Sequence, residues 1–162
     1  MKKTLVLYFS VYGSTKLLAN EIARQTNADL VEIEPVIPYD FNRGHYNQLA
    51  ALAKKEHDQD MRPEIRNDIP VADHDIIFLG YPMWWYTFPM IIYTLFERYD
   101  FIGKTIIPFN THMGSRDGGT YKTIRQLAPK AKVLEGLPVE MSDAEKGPEK
   151  AVNEWLSSLK IS

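Results

Sequence analysis

The sequence predicts an α/β fold in which helices cover both faces of a parallel β-sheet. Short apolar runs alternate with amphipathic helical patterns, and this alternation is typical of strand–helix units joined by right-handed crossovers. The runs over residues 5–9 and 76–81 are apolar without a break, and the run over residues 104–109 is of the same kind. Such runs favour strands that are buried on both faces of a sheet. We therefore expect a three-layer sandwich around a parallel sheet with five strands.

Length, charge and composition limit the classes of protein to consider. A chain of 162 residues predicts a single domain over residues 1–162 with a substantial core. A net charge of −2 without any basic block argues against nucleic-acid binding. The absence of cysteine excludes disulfides, thiolate metal sites and thiol catalysis. The first apolar run is too short to cross a membrane, and no signal-cleavage site follows it. We expect a soluble, cytoplasmic protein.

In the first half of the chain, the pattern gives two helices and a second strand. Apolar residues recurring four apart predict a helix over residues 14–25. Partial alternation predicts a strand nearer the sheet edge over residues 29–35. Helical spacing predicts an amphipathic helix over residues 43–57, whereas residues 58–75 are expected to be a connecting loop.

In the second half, prolines mark the expected ends of elements. Pro108 in particular is expected at the far end of the third apolar strand. The expected elements are a helix with Pro89 in its first turn, a strand over residues 104–109, a helix that ends at Pro129, a strand over residues 132–134 and a helix that begins near Pro148.

The first loop, residues 10–15, has the composition of an anion site. It connects the first strand to a helix N-terminus, where backbone N–H groups lack partners and the dipole is positive. Gly13 allows a positive φ, and hydroxyl side chains offer further donors. The glycine patterns of nucleoside-triphosphate and dinucleotide sites are absent, so a phosphate would be held by neutral donors alone. An ordinary turn capped by Ser14 or Thr15 explains the same residues equally well.

The second loop, residues 82–88, is rich in aromatic side chains. A planar aromatic ligand could stack there, or the rings could belong to the core. Phe88 is expected in the core. Trp84 and Trp85 are adjacent in an extended segment and point in opposite directions, so one of them should leave the core.

The third loop, residues 110–120, combines three glycines with polar groups. Its backbone N–H groups could bind the polar edge of a heterocycle, although a flexible surface loop is an equal alternative for Arg116 and Asp117. His112 is the histidine placed near this edge. No catalytic triad or carboxylate pair can be assigned, and the histidines expected in solvent without metal-ligand spacing are His45, His57 and His74.

The three loops follow strands whose carboxyl ends meet at one edge of the sheet, where ligands bind in such folds. A phosphate cradle, an aromatic wall and a polar glycine-rich edge together describe a flavin mononucleotide (FMN) site. The segments over residues 8–16, 80–85 and 108–115 resemble the three cofactor loops of the flavodoxin family, in particular its short-chain bacterial branch with a Trp-Trp loop.

This resemblance implies the flavodoxin-like strand order 2-1-3-4-5 and bound FMN. Two departures stand out, because His112-Met113 replaces residues that are usually small in this branch, and Tyr86 stands where glycine is frequent. The residues implied at the phosphate are Ser10, Tyr12, Gly13, Ser14 and Thr15. Those implied beside the isoalloxazine are Pro82, Met83, Trp84, Trp85 and Tyr86, and those on its pyrimidine side are Thr111, His112, Met113, Gly114 and Ser115.

The function that follows is an FMN-binding redox protein without a catalytic residue of its own. It would be an electron carrier for a redox partner protein, or an oxidoreductase that takes hydride from NAD(P)H and reduces a quinone or similar small acceptor. The slight net charge, with His112 and Arg116 in the third loop, predicts a less negative flavin potential than in a typical flavodoxin. A non-catalytic binding module of the same fold is the alternative from another class. A receiver domain is disfavoured, because Ser10 and Tyr81 stand where it needs carboxylates.

Overall fold

The computed structural model describes residues 2–39, 46–84 and 87–161, and its centre is a parallel β-sheet. The strand order is β2-β1-β3-β4-β5, with β6 also paired to β4, and this confirms the predicted order 2-1-3-4-5. The strands are β1 (Thr4–Tyr8), β2 (Asp29–Glu32), β3 (Ile76–Pro82), β4 (Thr105–His112), β5 (Lys132–Val133) and β6 (Leu137–Glu140).

Helices cover both faces of the sheet, because side chains alternate between its two faces. In β1, Val6 and Tyr8 join one core cluster with α1, α5 and α6, whereas Leu5 and Leu7 join another with α3 and α4. The unbroken apolar run is explained by this burial on both sides. The helices are α1 (Ser14–Thr26), α2 (Tyr46–Asp58), α3 (Ile91–Arg98), α4 (Thr120–Leu127), α5 (Met141–Lys146) and α6 (Glu149–Ser158).

The position predicted for Pro108 is wrong: it lies inside β4, opposite Leu79 of β3. The N–H of Leu134 donates to the carbonyl oxygen of Ile106 (3.0 Å). Backbone polar groups alternate in direction along a strand, so those of Pro108, two residues after Ile106, also point towards β5 and β6. The missing N–H of Pro108 therefore faces the interruption between Val133 and Leu137, where no ladder hydrogen bond is lost. Both β5 and β6 pair with the same edge of β4, so together they take the place of one edge strand that is interrupted by residues 134–136.

Most of the other predicted elements are confirmed, with shifted ends. The strand predicted over residues 29–35 stops at Glu32, and Pro35 instead forms an isolated antiparallel bridge with Ile65. The sequence reasoning missed β6 and α5, which are only four and six residues long. None of the helices in the described ranges is long and apolar enough to cross a membrane.

Helix α2 does not pack into the core of the sheet. The buried apolar residues of α2, Leu49 and Ala53, belong to neither core cluster. They lie instead at the carboxyl-terminal edge of the sheet, where they help to enclose a cavity.

Candidate functional site

A cavity lies where β1, β3 and β4 end. Its volume is about 560 Å³, within the range of roughly 300–1,000 Å³ that small-molecule sites occupy. The strand ends and the three loops that follow them line it together with α2. Of the residues that the sequence implies at the cofactor, those lining the cavity are Ser10, Tyr12, Ser14, Thr15, Pro82, Met83, Trp84, Thr111, His112, Met113, Gly114 and Ser115.

The first loop ends in an uncapped helix N-terminus. Gly13 is the N-cap residue of α1, with φ 98°, and its N–H donates to the hydroxyl oxygen of Ser10 (3.2 Å). The alternative of a turn capped by Ser14 or Thr15 is wrong, because no side chain caps this helix. The first turn also has no acidic residue. Its N–H groups thus remain available for an anion, which fits a phosphate.

Thr111, at the end of β4, connects all three loops. Its hydroxyl shares a hydrogen bond of 2.7 Å with the hydroxyl of Thr15 in the first turn of α1. Its carbonyl oxygen accepts a hydrogen bond of 2.9 Å from the N–H of Met83 in the second loop. These bonds fix the polar end of the cavity relative to its aromatic side.

On the aromatic side, the ring of Trp84 lines the cavity and packs edge to face against Phe9 and Tyr39, which support it without lining the cavity. The ring centroid of Trp84 lies 5.5 Å from that of Phe9 and 5.1 Å from that of Tyr39. Phe88 is buried in the core, as predicted. Trp84 and Thr87 pair as an antiparallel bridge, and the two remaining implied residues of this loop, Trp85 and Tyr86, lie outside the described residues.

A buried carboxylate joins this side of the cavity to α2. The hydroxyl of Tyr39 donates to both carboxylate oxygens of Glu56, at 2.8 and 2.7 Å. Glu56 lies in α2 and is only 5% exposed, and this burial raises its pKa. Burial and the neighbouring carboxylate likewise raise the pKa of Tyr39. A chain of contacts thus runs from α2 through Tyr39 to Trp84.

The face of α2 that lines the cavity was not expected to belong to the site. It consists of Tyr46, Leu49, Ala50 and Ala53, whose helical spacing in the sequence predicts only an amphipathic helix. One signal was available: the two alanines are three residues apart and leave space beside one face of the helix. Tyr46 is half exposed at the rim of the cavity.

The third loop is anchored at its base. The buried side chain of Asn110 donates from Nδ2 to the carbonyl oxygen of Arg116 (2.8 Å) and accepts at Oδ1 from the hydroxyl of Tyr121 (2.5 Å). The hydroxyls of Tyr81 and Thr120 share a hydrogen bond of 2.7 Å beneath it. These hydrogen bonds hold both ends of the loop in place, which does not fit the alternative of a flexible surface loop there.

Among the histidines that the structure describes, His74 and His112 are buried, and of these two only His112 lies at the cavity. His112 is 6% exposed, and its Nδ1 accepts a hydrogen bond of 3.0 Å from the N–H of Gly114. Burial lowers the pKa of His112 from its ordinary value of 6.5. The expectation of a solvated His74 is wrong, because its ring bonds to the carbonyl oxygen of Pro70 and to Asp29, both at 2.7 Å.

The histidine and carboxylate positions do not indicate a metal. Among residues 2–39, 46–84 and 87–161, no group of three or more His, Asp and Glu side chains could hold a metal ion. The exposed His57 lies on α2, with Asp58 as its neighbour, and His45 is outside the described residues.

Comparisons with known proteins agree with this fold. The sequence profile described as Flavodoxin matches residues 3–159. A candidate flavoprotein from Bacteroides eggerthii is 30% identical, with a TM-score of 0.85 and both chains fully covered. One from Bacteroides uniformis is 29% identical, with a TM-score of 0.84 over 97% of this chain and 99% of that one.

A more distant structure carries a ligand. The flavoprotein of Lactobacillus acidophilus, crystallised in complex with FMN, is 23% identical, with a TM-score of 0.70 over 90% of this chain and 98% of that one. This likeness shows the shared fold. A comparison with curated protein sequences gives no significant match. The profile match over nearly the whole chain, the strand order and the neighbouring structures establish that the chain belongs to the flavodoxin family.

Proposed function

We propose that this protein binds FMN non-covalently and acts as a flavin-dependent redox protein. The observation that carries the proposal is the composition of one cavity, which joins an uncapped helix N-terminus to an apolar aromatic side. FMN is itself divided in this way, with a phosphate at the end of its tail and a planar ring system at the other end. The FMN complex of the Lactobacillus acidophilus protein supports the same assignment.

The proposed arrangement places the phosphate at the first loop, where Ser10, Tyr12, Gly13, Ser14 and Thr15 would hold it. The ring would lie between residues 82–86 and 111–115. When bound, the flavin supplies the one- and two-electron chemistry. The chain binds and orients the ring, and the apolar face of α2 excludes water from one side of it.

The binding test compares FMN with riboflavin, which has the same ring without the phosphate. We expect FMN to bind the apoprotein at least tenfold more tightly, since charge-assisted hydrogen bonds contribute about 1.5–3 kcal/mol. Thr15→Val should weaken FMN binding by about 5- to 30-fold, with little effect on riboflavin. Thr26→Val, at the other end of α1, is the matched control. Equal affinities for the two flavins would exclude the proposed phosphate site.

The exchange of electrons with a redox partner protein is the first candidate role. A second candidate, an NAD(P)H-dependent reductase of a quinone or similar small acceptor, is favoured by α2, because its apolar face closes part of the cavity to a large partner and suits a small planar molecule. Steady-state oxidation of NADPH by the holoprotein with a benzoquinone distinguishes these roles. A carrier should show almost no turnover, whereas a reductase should turn over repeatedly.

A further inference from the structure

We propose that His112 positions the third loop against the cofactor by accepting the N–H of Gly114, and that protonation of His112 releases this loop. The inference rests on the proposed function only for the identity of the molecule in the cavity. The contact itself belongs to the protein alone and can be tested without any ligand.

The direction of the hydrogen bond fixes the protonation state of the ring. A backbone N–H can only donate, so Nδ1 of His112 must offer its lone pair at the observed distance of 3.0 Å. The ring proton then sits on Nε2, and the imidazole is neutral. A ring protonated on both nitrogens would place two donors against each other, and Gly114 would lose its acceptor.

The surroundings of His112 favour this neutral ring. The side chain is 6% exposed at the border between the cofactor cavity and a second groove of about 730 Å³. Burial is the largest influence on its pKa and lowers it, Arg116 of the third loop lowers it further, and Glu140 of β6 and Asp143 of α5 oppose the shift. The charged residues further along this groove are Lys146, Lys150 and Glu154.

Little else holds the tip of the loop. Met113 is 74% exposed, so its side chain contributes little buried packing. Gly114 has φ 113°, a conformation that side-chain-bearing residues rarely adopt, and this lets its N–H turn towards the ring. The base of the loop is fixed independently, through Asn110 and the carbonyl oxygen of Arg116. Loss of the His112 bond should therefore free Met113 and Gly114, whereas the carbonyl oxygen of Ser115 still accepts the N–H of Gly118 (3.1 Å) and the base stays in place.

The released segment faces the cavity. Met113 and Gly114 both line it, so a ligand that contacts the closed loop binds the neutral form of His112 more tightly. By linkage, the affinity for FMN falls as His112 becomes protonated, and bound FMN lowers the pKa of His112 further. We expect the affinity to fall roughly 5-fold or more between pH 7.5 and complete protonation, the lower end of usual coupling strengths.

The first experiment follows the amide proton of Gly114 by NMR in the apoprotein, together with the ring protons of His112, from pH 8 to pH 5. In the wild type, the Gly114 resonance should move with the same midpoint as His112. In His112→Asn, the side-chain oxygen stands in for Nδ1 without titrating, so the resonance should keep its hydrogen-bonded position at every pH. In His112→Ala it should be displaced throughout, and His57→Asn, on the exposed histidine of α2, should behave as the wild type.

A Gly114 resonance that ignores the titration of His112, or that is the same in the wild type and His112→Ala, overturns the proposal. The second experiment measures FMN affinity over the same pH range. A pH dependence in the wild type that disappears in His112→Asn supports the coupling, and an equal dependence in both contradicts it. If FMN does not bind at all, the proposed function fails, whereas the NMR result still decides whether His112 holds the loop.

Discussion

The two sides of the cavity are held together in different ways. The apolar wall, formed by Trp84 and the cavity face of α2, depends on the packing of Trp84 against Phe9 and Tyr39 and on the buried carboxylate of Glu56. The third loop depends on hydrogen bonds to its own backbone: Asn110 donates to the carbonyl oxygen of Arg116, and His112 accepts from the N–H of Gly114. Nδ1 of His112 can accept its hydrogen bond only while the ring is neutral, whereas the carboxyl group of Glu56 can accept from Tyr39 whether or not it is protonated. The geometry of the loop side is therefore the more sensitive to acid.

One side contains the buried carboxyl group of Glu56 and the other the buried imidazole of His112, and their pKa values are shifted in opposite directions from their ordinary values. Burial raises the pKa of Glu56 and lowers that of His112, because burial always disfavours the charged form. The comparison therefore predicts that acid loosens the third loop without loosening the apolar wall. The predictions below change one side at a time.

The largest effect is expected from Trp84, at the centre of the apolar wall. Trp84→Ala should weaken FMN binding about 30- to 150-fold, or about 2–3 kcal/mol, since a stacked apolar surface is lost. Met113→Ala on the other side should change the affinity by less than about threefold, because this side chain is largely exposed. Fluorescence titration with FMN measures both. Similar losses in the two variants would contradict the division between the sides.

The contact between Tyr39 and Glu56, which supports Trp84, should contribute to the free energy of unfolding. Tyr39→Phe removes the hydroxyl that donates to Glu56 and leaves a buried carboxylate without this partner, at a cost of about 1–2 kcal/mol in the free energy of unfolding. Tyr46→Phe, the same change on the half-exposed Tyr46, should stay within about 0.5 kcal/mol. Urea denaturation of the apoproteins provides the measurement. An unchanged midpoint for Tyr39→Phe would show that the contact to Glu56 does not hold α2.

The hydroxyl contact between Thr15 and Thr111 joins the first turn of α1 to the end of β4 at the polar end of the cavity. A double-mutant cycle with Thr15→Val and Thr111→Val should give a coupling of about 0.5–1.5 kcal/mol in the free energy of unfolding, the usual range for one hydrogen bond. Additive single effects would mean that the first loop and β4 are not coupled through these hydroxyls.

The smallest effects are the slopes of stability against pH. The pKa of Glu56 is raised above its ordinary 4.5, so its contribution is fully present below pH 4.5 and is lost as the pH rises through the folded value. The pKa of His112 is lowered below 6.5, so its contribution is present above pH 6.5 and is lost as the pH falls through the folded value. Glu56→Gln should flatten the first slope and His112→Asn the second, as measured by urea denaturation at several pH values.

If each variant changed both slopes, the two sides of the cavity would not be independent. A result with the signs reversed would contradict the burial of these two groups.

An element of this fold could be predicted from the sequence where its own residues carry the pattern, and could not where a partner strand distant in the sequence decides the structure. The strands of residues 5–9 and 76–81 could be predicted because both of their faces are buried, which leaves a continuous apolar run. The extent of β4 could not, since a proline normally ends a central strand, and Pro108 is tolerated only because the partner strand is broken beside it. The short β6 and α5 leave no periodic signal of their own.

The site shows the same division. The place of the first loop at the cavity could be predicted because a helix N-terminus, a glycine and hydroxyls are adjacent in the sequence. The cavity face of α2 could not, because an amphipathic pattern does not say whether its apolar side meets a sheet or a ligand. The same limit applies to His74, whose partners Pro70 and Asp29 meet only in the folded chain.

The most direct test of the proposed site is a map of backbone amide shifts when FMN is added to the isotopically labelled apoprotein. We predict that the largest changes fall on the first-turn amides of α1, on Met83 and Trp84, on residues 111–115 and on Ala50 and Ala53, while the surroundings of His74 stay unchanged. Riboflavin should reproduce the changes except those at Ser14 and Thr15. Saturating FMN that leaves the first-turn amides of α1 unmoved would contradict the proposal that this uncapped N-terminus holds the phosphate.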